Sequence, residues 1–194
     1  MQPCRLTAHD LACRRGDRIL FHKVAMDLTQ GDALRIAGPN GVGKSSLMRI
    51  LAGLLRPFGG TVDRKGAVGL MDERTALDPQ LPLGRALAFW NAMDGDPPAQ
   101  DTVELLEIAD LWDVPVRYLS TGQQKRAGFA RLIGQNAPIW LLDEPLNGLD
   151  SGIQARIVER IANHRASGGI VVVASHQPID IGQHVCIDLT DFAP

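Results

Sequence analysis

An α/β fold built around a buried parallel sheet is predicted by three features of the sequence. A glycine-rich turn, Gly38-Pro39-Asn40-Gly41-Val42-Gly43-Lys44-Ser45, lies between an apolar run and a segment with helical spacing. Two continuous apolar runs, Ile139-Trp140-Leu141-Leu142 and Ile170-Val171-Val172-Val173-Ala174, read as parallel strands covered on both faces. Between the turn and those runs, from about Thr75 to Asn136, β-like patterning gives way to helical patterning.

Taken in order, residues 5–37 read as short strands. Leu6–Cys13 is one, Arg15-Gly16-Asp17 a turn, and Ile19–Leu28 a second, ending at Gln30-Gly31-Asp32. Ala33-Leu34-Arg35-Ile36-Ala37 forms the strand into the glycine turn, and a helix through Ser46–Ala52 closes at Gly53. Gly59-Gly60 reads as a turn and Ala67–Met71 as a further strand. Leu83–Met93 and Val103–Trp112 carry helical spacing, separated by the linker Asp94-Gly95-Asp96-Pro97-Pro98. A third helix spans about Thr121–Gln135, with Phe129, Leu132 and Ile133 on its apolar face. Ile153, Ile157 and Ile161 give the spacing of a crossover helix between the two buried strands. Trp90, Trp112 and Met93 read as helix packing rather than a cofactor pocket.

A chain of 194 residues suffices for one well-buried domain with an inserted subdomain. Its composition, 45% hydrophobic and 22% charged, is that of a globular protein, and a net charge of −2 gives no footprint for nucleic acid. No apolar run is long enough to span a bilayer, and no charged start leads into an apolar signal region. Membrane contact is therefore expected only through a partner protein. Cys4, Cys13 and Cys186 form no metal-like spacing and read as reduced thiols; the five histidines are scattered.

The glycine turn has the pattern G-x-x-x-x-G-K-[ST] in the context that pattern requires. A strand that turns on glycines and leaves as a helix aims several backbone N–H groups at one point, at the positive end of the helix dipole. That nest suits a polyphosphate. Lys44 is expected to reach the β- and γ-phosphates, and the Ser45 hydroxyl to ligate Mg²⁺. Backbone from Gly38 to Ser46 completes the cradle.

Downstream, Leu141-Leu142 runs into Asp143-Glu144. At the carboxyl end of a sheet strand, both carboxylates can face the crevice where ligands bind. Asp143 is then the Mg²⁺-side carboxylate, and Glu144 is placed to orient the attacking water and take its proton.

Leu119-Ser120-Thr121-Gly122-Gln123-Gln124-Lys125-Arg126 resembles the L-S-G-G-Q signature of ABC-type ATPases. The family's order continues through the acidic strand, Leu149-Asp150, and a strand ending in Ser175-His176. The resemblance covers essentially the whole chain. It implies a RecA-like P-loop NTPase core over residues 1–72 and 137–194, with an N-terminal antiparallel β-subdomain. It also implies a helical subdomain over residues 73–136. Two such ATPase subunits would pair head to tail. Ser120, Gly122 and Gln123 of one would then face the γ-phosphate of ATP held by the other, and His176 would contact that phosphate from its own side. Lys44, Glu144 and His176 are the implied catalytic set, and Ser45 and Asp143 hold Mg²⁺.

Three departures from the family pattern stand out. Thr121 replaces the first signature glycine. The glutamine expected between core and helical region is absent; by spacing its place falls at Arg74, beside Glu73, which puts coupling to the transporter in question. Arg15 stands nearest the aromatic residue that stacks on adenine, with Phe21 a second candidate better suited to the core. The form of the signature, the early segment 13–21 and the ending Ser175-His176-Gln177-Pro178 look like the ATP-binding subunits of haem-exporting, cytochrome c maturation systems. That resemblance implies a peripheral ATPase at the cytoplasmic face of the bacterial inner membrane, bound to integral-membrane transporter subunits. A transporter motor for another cargo, a soluble ABC ATPase acting on ribosomes or nucleic acid, and a nucleotide-gated module without turnover are the alternatives.

Overall fold

A computed structural model describes residues 3–94 and 100–194. Two sheets organise it. β1 (Arg5–Arg15), β2 (Arg18–Thr29) and β4 (Gly59–Lys65) form an antiparallel sheet in the order β2-β1-β4. β3 (Ala33–Ala37), β5 (Val68–Met71), β6 (Ile139–Asp143), β7 (Ile170–Ala174) and β8 (Val185–Asp188) form a parallel sheet in the order β5-β6-β7-β3-β8. The helices are α1 (Lys44–Ala52), α2 (Leu83–Asp94), α3 (Gln100–Leu105), α4 (Thr121–Gly134) and α5 (Ser151–Ala166).

The parallel strands divide the core in two because side chains alternate along them. Ile139, Leu141, Ile170 and Val172 face one way, with Leu34 and Ile36, against Leu47, Met48, Ile50 and Leu51 of α1 and the inner face of the antiparallel sheet. Trp140, Leu142, Val171 and Val173 face the other, against Phe129 and Leu132 of α4 and Ile153, Ile157 and Ile161 of α5. Burying one Leu or Ile side chain is worth about 1.5–3 kcal/mol. The continuous apolar runs are therefore demanded by a sheet that carries helices on both sides.

Two expectations change, and one strand was not anticipated. Gly59-Gly60 is not a free turn but the start of β4, and a Cβ at Gly60 would come within 2.3 Å of the His9 carbonyl oxygen. Its glycine serves a close strand approach beside the bulge between His9 and Ala12. The helix expected over Val103–Trp112 is instead α3, ending at Leu105, followed by a short 3-10 turn at Ala109–Leu111. Glu107, at φ 49, breaks the helical path between them. β8 escapes the apolar pattern because Val185 and Cys186 are exposed on a sheet edge. The linker expected at 94–98 falls, from residue 95 on, outside the described residues.

Candidate nucleotide site

The sheet order places three neighbouring strand ends side by side. β3 leads into the glycine turn, β7 into Ser175-His176, and β6 ends in Asp143 with Glu144 next. Glu144 N–H donates to the Ala174 carbonyl at 2.8 Å and Ser175 N–H to the Ile36 carbonyl at 3.1 Å, which ties the three ends together.

In the turn, Gly38, Gly41 and Gly43 take φ values of 128, 81 and 117. A Cβ at Gly43 would lie 3.1 Å from the Phe21 ring, so Phe21 acts as a floor beneath the turn and is fully buried. Gly43 caps α1 without a side-chain hydrogen bond, which leaves first-turn amides for a ligand. Lys44 is 6% exposed, and its ammonium donates to the carbonyls of Gly38 at 2.7 Å and Pro39 at 3.1 Å, with Glu144 Oε1 3.7 Å away. Anionic phosphate oxygens are stronger acceptors than these carbonyls, so a phosphate entering the turn would draw the lysine from them.

Asp143 is buried, and the Ser45 hydroxyl hydrogen-bonds its carboxylate. Burial pushes the Asp143 carboxyl above its ordinary range; the Ser45 bond opposes this, while the negative charges of Glu144, Asp72 and Glu73 add to it. That surplus of negative charge around a hydroxyl and a carboxylate fits a magnesium ion. Ser45 and Asp143 would hold it, the remaining ligands being phosphate and water oxygens. Such an ion would supply positive charge against the negative charge of the phosphates. Among the described residues no cluster of three or more His, Cys, Asp or Glu forms an all-protein metal site.

Glu144 is fixed from several directions. It adopts φ 47, a left-handed conformation that costs a non-glycine residue of order 1–3 kcal/mol and points to functional strain. Its Oε1 accepts the His176 N–H at 3.0 Å and lies 2.9 Å from His176 Nδ1; its Oε2 accepts Asn147 Nδ2 at 3.2 Å. A carboxylate at that distance keeps the imidazole proton on Nδ1. A strained carboxylate beside a lysine is well suited to orienting water and accepting its proton.

These groups line one cavity of about 720 Å³, from Leu20 of β2 and Asn40, Gly41, Gly43, Lys44, Ser45 and Ser46 to Asp143, Glu144, Asn147, Gly148 and His176. Asp72, Glu73 and Thr75 line it too, while Arg74 is exposed and donates its backbone N–H to Asp72 at 2.9 Å. At the signature, Ser120 caps α4 in a reciprocal box with Gln123, at 3.3 and 2.8 Å. Thr121, Gln124 and Lys125 reach the cavity wall; Ser120, Gly122 and Gln123 are not among its lining residues. Gly122 packs so closely on the Gly148 carbonyl that a Cβ would come within 2.8 Å. Arg15 is exposed at the hairpin end and is not among the lining residues, and Leu20 provides the large apolar side chain at the cavity. Sequence reasoning passed over Leu20, Asp72, Asn147 and Lys125. A hint lay in the period-2 position of Leu20 one residue before buried Phe21; no local signal marks the others.

The sequence pattern of the ABC transporter family matches residues 21–147. A cytochrome c biogenesis ATP-binding export protein, CcmA, from Novosphingobium aromaticivorans is 55% identical over the full length of both chains. The protein of that name from Rhizobium meliloti is 39% identical over 97% of this chain and 99% of its own. In three dimensions an ABC transporter ATP-binding protein from Pyrococcus furiosus superimposes with a TM-score of 0.82 at 21% identity, over 98% of this chain and 100% of the other. A dimeric ATP-binding cassette in a post-hydrolysis state bound to ADP and Pi gives 0.77 at 21% identity, over 89% and 88%. These two likenesses concern the fold. With its glycine cradle, acidic strand end and strained glutamate in one cavity, and these relatives beside it, the chain belongs to the ABC transporter ATPase family, among the cytochrome c biogenesis ATP-binding export proteins.

Proposed function

We propose that this ATPase drives haem delivery, or release of a haem-loaded chaperone, in cytochrome c assembly. It works as one of two motor subunits on integral-membrane partners at the cytoplasmic face of the inner membrane. The observation that carries hydrolysis is the conformation of Glu144, strained at φ 47 with both carboxylate oxygens held. The relatives, cytochrome c biogenesis ATP-binding export proteins, support the assembly pathway.

MgATP binds in the glycine cradle, with Lys44 leaving the Gly38 and Pro39 carbonyls for phosphate oxygens. Ser120, Gly122 and Gln123 of the second subunit close on the γ-phosphate. Glu144 takes the proton of the attacking water, and His176 steadies both the carboxylate and the phosphate. Reopening is passed to the membrane partners through the groove formed by Ala76, Leu77, Leu81, Ala86, Phe89 and Trp90, about 480 Å³, on α2 and the segment before it. Phe89 and Met93 stand 57% and 66% exposed at this face, an apolar surface that a partner helix would cover. No described helix is long and apolar enough to cross a membrane, so the proposed membrane contact runs through those partners.

The test is complementation. A strain deleted for this gene receives the wild-type or Glu144→Gln chain, and holocytochrome c is measured together with the membrane proteins that co-purify. The wild type is expected to restore holocytochrome c, and Glu144→Gln to retain the partners without restoring it. Restoration by Glu144→Gln would overturn the motor role. Normal cytochrome c in the deletion strain would overturn the cargo.

A further inference from the structure

Lys125 is the fifth residue of α4, one turn beyond the signature cap Ser120. Its ammonium crosses to the loop after β6, donating to the Glu144 carbonyl at 2.6 Å and to the Asn147 carbonyl at 2.8 Å. Both acceptors matter to the carboxylate of Glu144. The first belongs to the residue that bears it. The second belongs to the residue whose side-chain amide donates to its Oε2 at 3.2 Å.

Glu144 sits in the left-handed region, a conformation that persists only where surrounding contacts over-determine it. Its N–H is fixed on the Ala174 carbonyl at 2.8 Å, so Lys125 closes the opposite end of the same residue. The ammonium is half-buried at the cavity wall. Burial pulls its pKa below the ordinary lysine value, and the negative charges of Glu144, Asp143 and Glu73 oppose that pull. A lysine is desolvated here to hold two main-chain carbonyls, where a solvated side chain would have been easier to accommodate.

We infer that Lys125 is a positioning residue that holds the strained backbone of Glu144 and joins the signature helix to the catalytic carboxylate within one subunit. The inference rests on the proposed roles of Glu144 as base and of the signature as the element closing on the second subunit's nucleotide. Its consequence is a link between two sites. When the signature of one subunit engages the γ-phosphate held by the other, a shift of the α4 amino end reaches Glu144 of its own subunit through the Lys125 side chain. Gly122 strengthens the link, because its close approach to the Gly148 carbonyl leaves no slack between α4 and the same loop.

The experiment measures ATP turnover and nucleotide affinity of the full chain assembled with its membrane partners, for wild type, Lys125→Met, Lys125→Arg and Glu144→Gln. Lys125→Met is expected to lower kcat by about tenfold or more, the scale of a misplaced catalytic group, with KM for ATP within about twofold. It should also bring the Hill coefficient for ATP towards one. Lys125→Arg should recover most of kcat, since a guanidinium can bridge two carbonyls. A Lys125→Met kcat within threefold of wild type, while Glu144→Gln is inactive, overturns the positioning role and leaves the role of Glu144 standing. Turnover that survives Glu144→Gln overturns both. A parallel loss of ATP affinity in Lys125→Met and Lys125→Arg overturns the inference as well, because it marks a phosphate contact or a general structural role.

Discussion

At the scale of single residues, the cavity separates side chains that line it from those that only stand near its sequence motif. Leu20 lines the cavity on β2, whereas Arg15 ends β1 in solvent. Apolar contact with the base or sugar from part of a leucine is worth about 1 kcal/mol, or fivefold in affinity. Leu20→Ala should therefore raise KM for ATP about fivefold with kcat retained, and Arg15→Ala should leave KM within twofold, both read from steady-state turnover. The glycine turn was legible because it is written in consecutive residues, Gly38 to Ser45, with a strand before and a helix after. The place of Leu20 at the cavity was not, because β2 reaches it only after the hairpin has folded back over the glycine turn. The same holds for Arg74. Spacing placed it at the glutamine position, but the local chain path turns Asp72, Glu73 and Thr75 inward instead.

At the scale of elements, α5 carries a group whose burial sets a pH dependence of stability. His164 is 7% exposed and stacks on Trp140 of β6 at 3.8 Å between ring centroids. Burial, aided by the nearby positive charge of Arg160, pushes its pKa from 6.5 down to about 4. With the folded value below the unfolded one, the unfolded chain binds the proton more readily. This contribution is present in full above pH 6.5 and is lost as pH falls towards 4. At 1.36 kcal/mol per unit the loss is about 3 kcal/mol. Urea unfolding between pH 7 and 4.5 should show His164→Phe, which keeps a ring against Trp140, losing about 2 kcal/mol less than wild type. An equal loss in both would contradict the assignment. Elements fixed by a single local pattern, such as β6, β7 and α5, were legible in the sequence. Those fixed by distant contacts were not. β4 begins at glycines because it runs against the β1 bulge, and β8 exists because β3 offers it a parallel edge.

At the scale of the whole molecule, one alternating pattern in the parallel sheet builds two cores. The glycine cradle and antiparallel sheet lie on one side of it, and α4 and α5 on the other. The cavity lined by the glycine turn and Glu144 opens at the carboxyl ends of the central strands, where the loops from both sides meet. The apolar groove around Phe89 and Trp90 lies on the helical side. Phe89→Asp should reduce recovery of the membrane partners in a pull-down by about tenfold while nucleotide affinity of the isolated chain is unchanged. A lost affinity with partners retained would place the defect in the fold instead. Cleavage of a triphosphate held by the turn before α1, with Glu144 as base, can be read from turnover and MgATP binding of wild type and Glu144→Gln in the assembled complex. In Glu144→Gln, kcat should fall by about a hundredfold or more with MgATP binding preserved. Turnover unchanged by Glu144→Gln would contradict it.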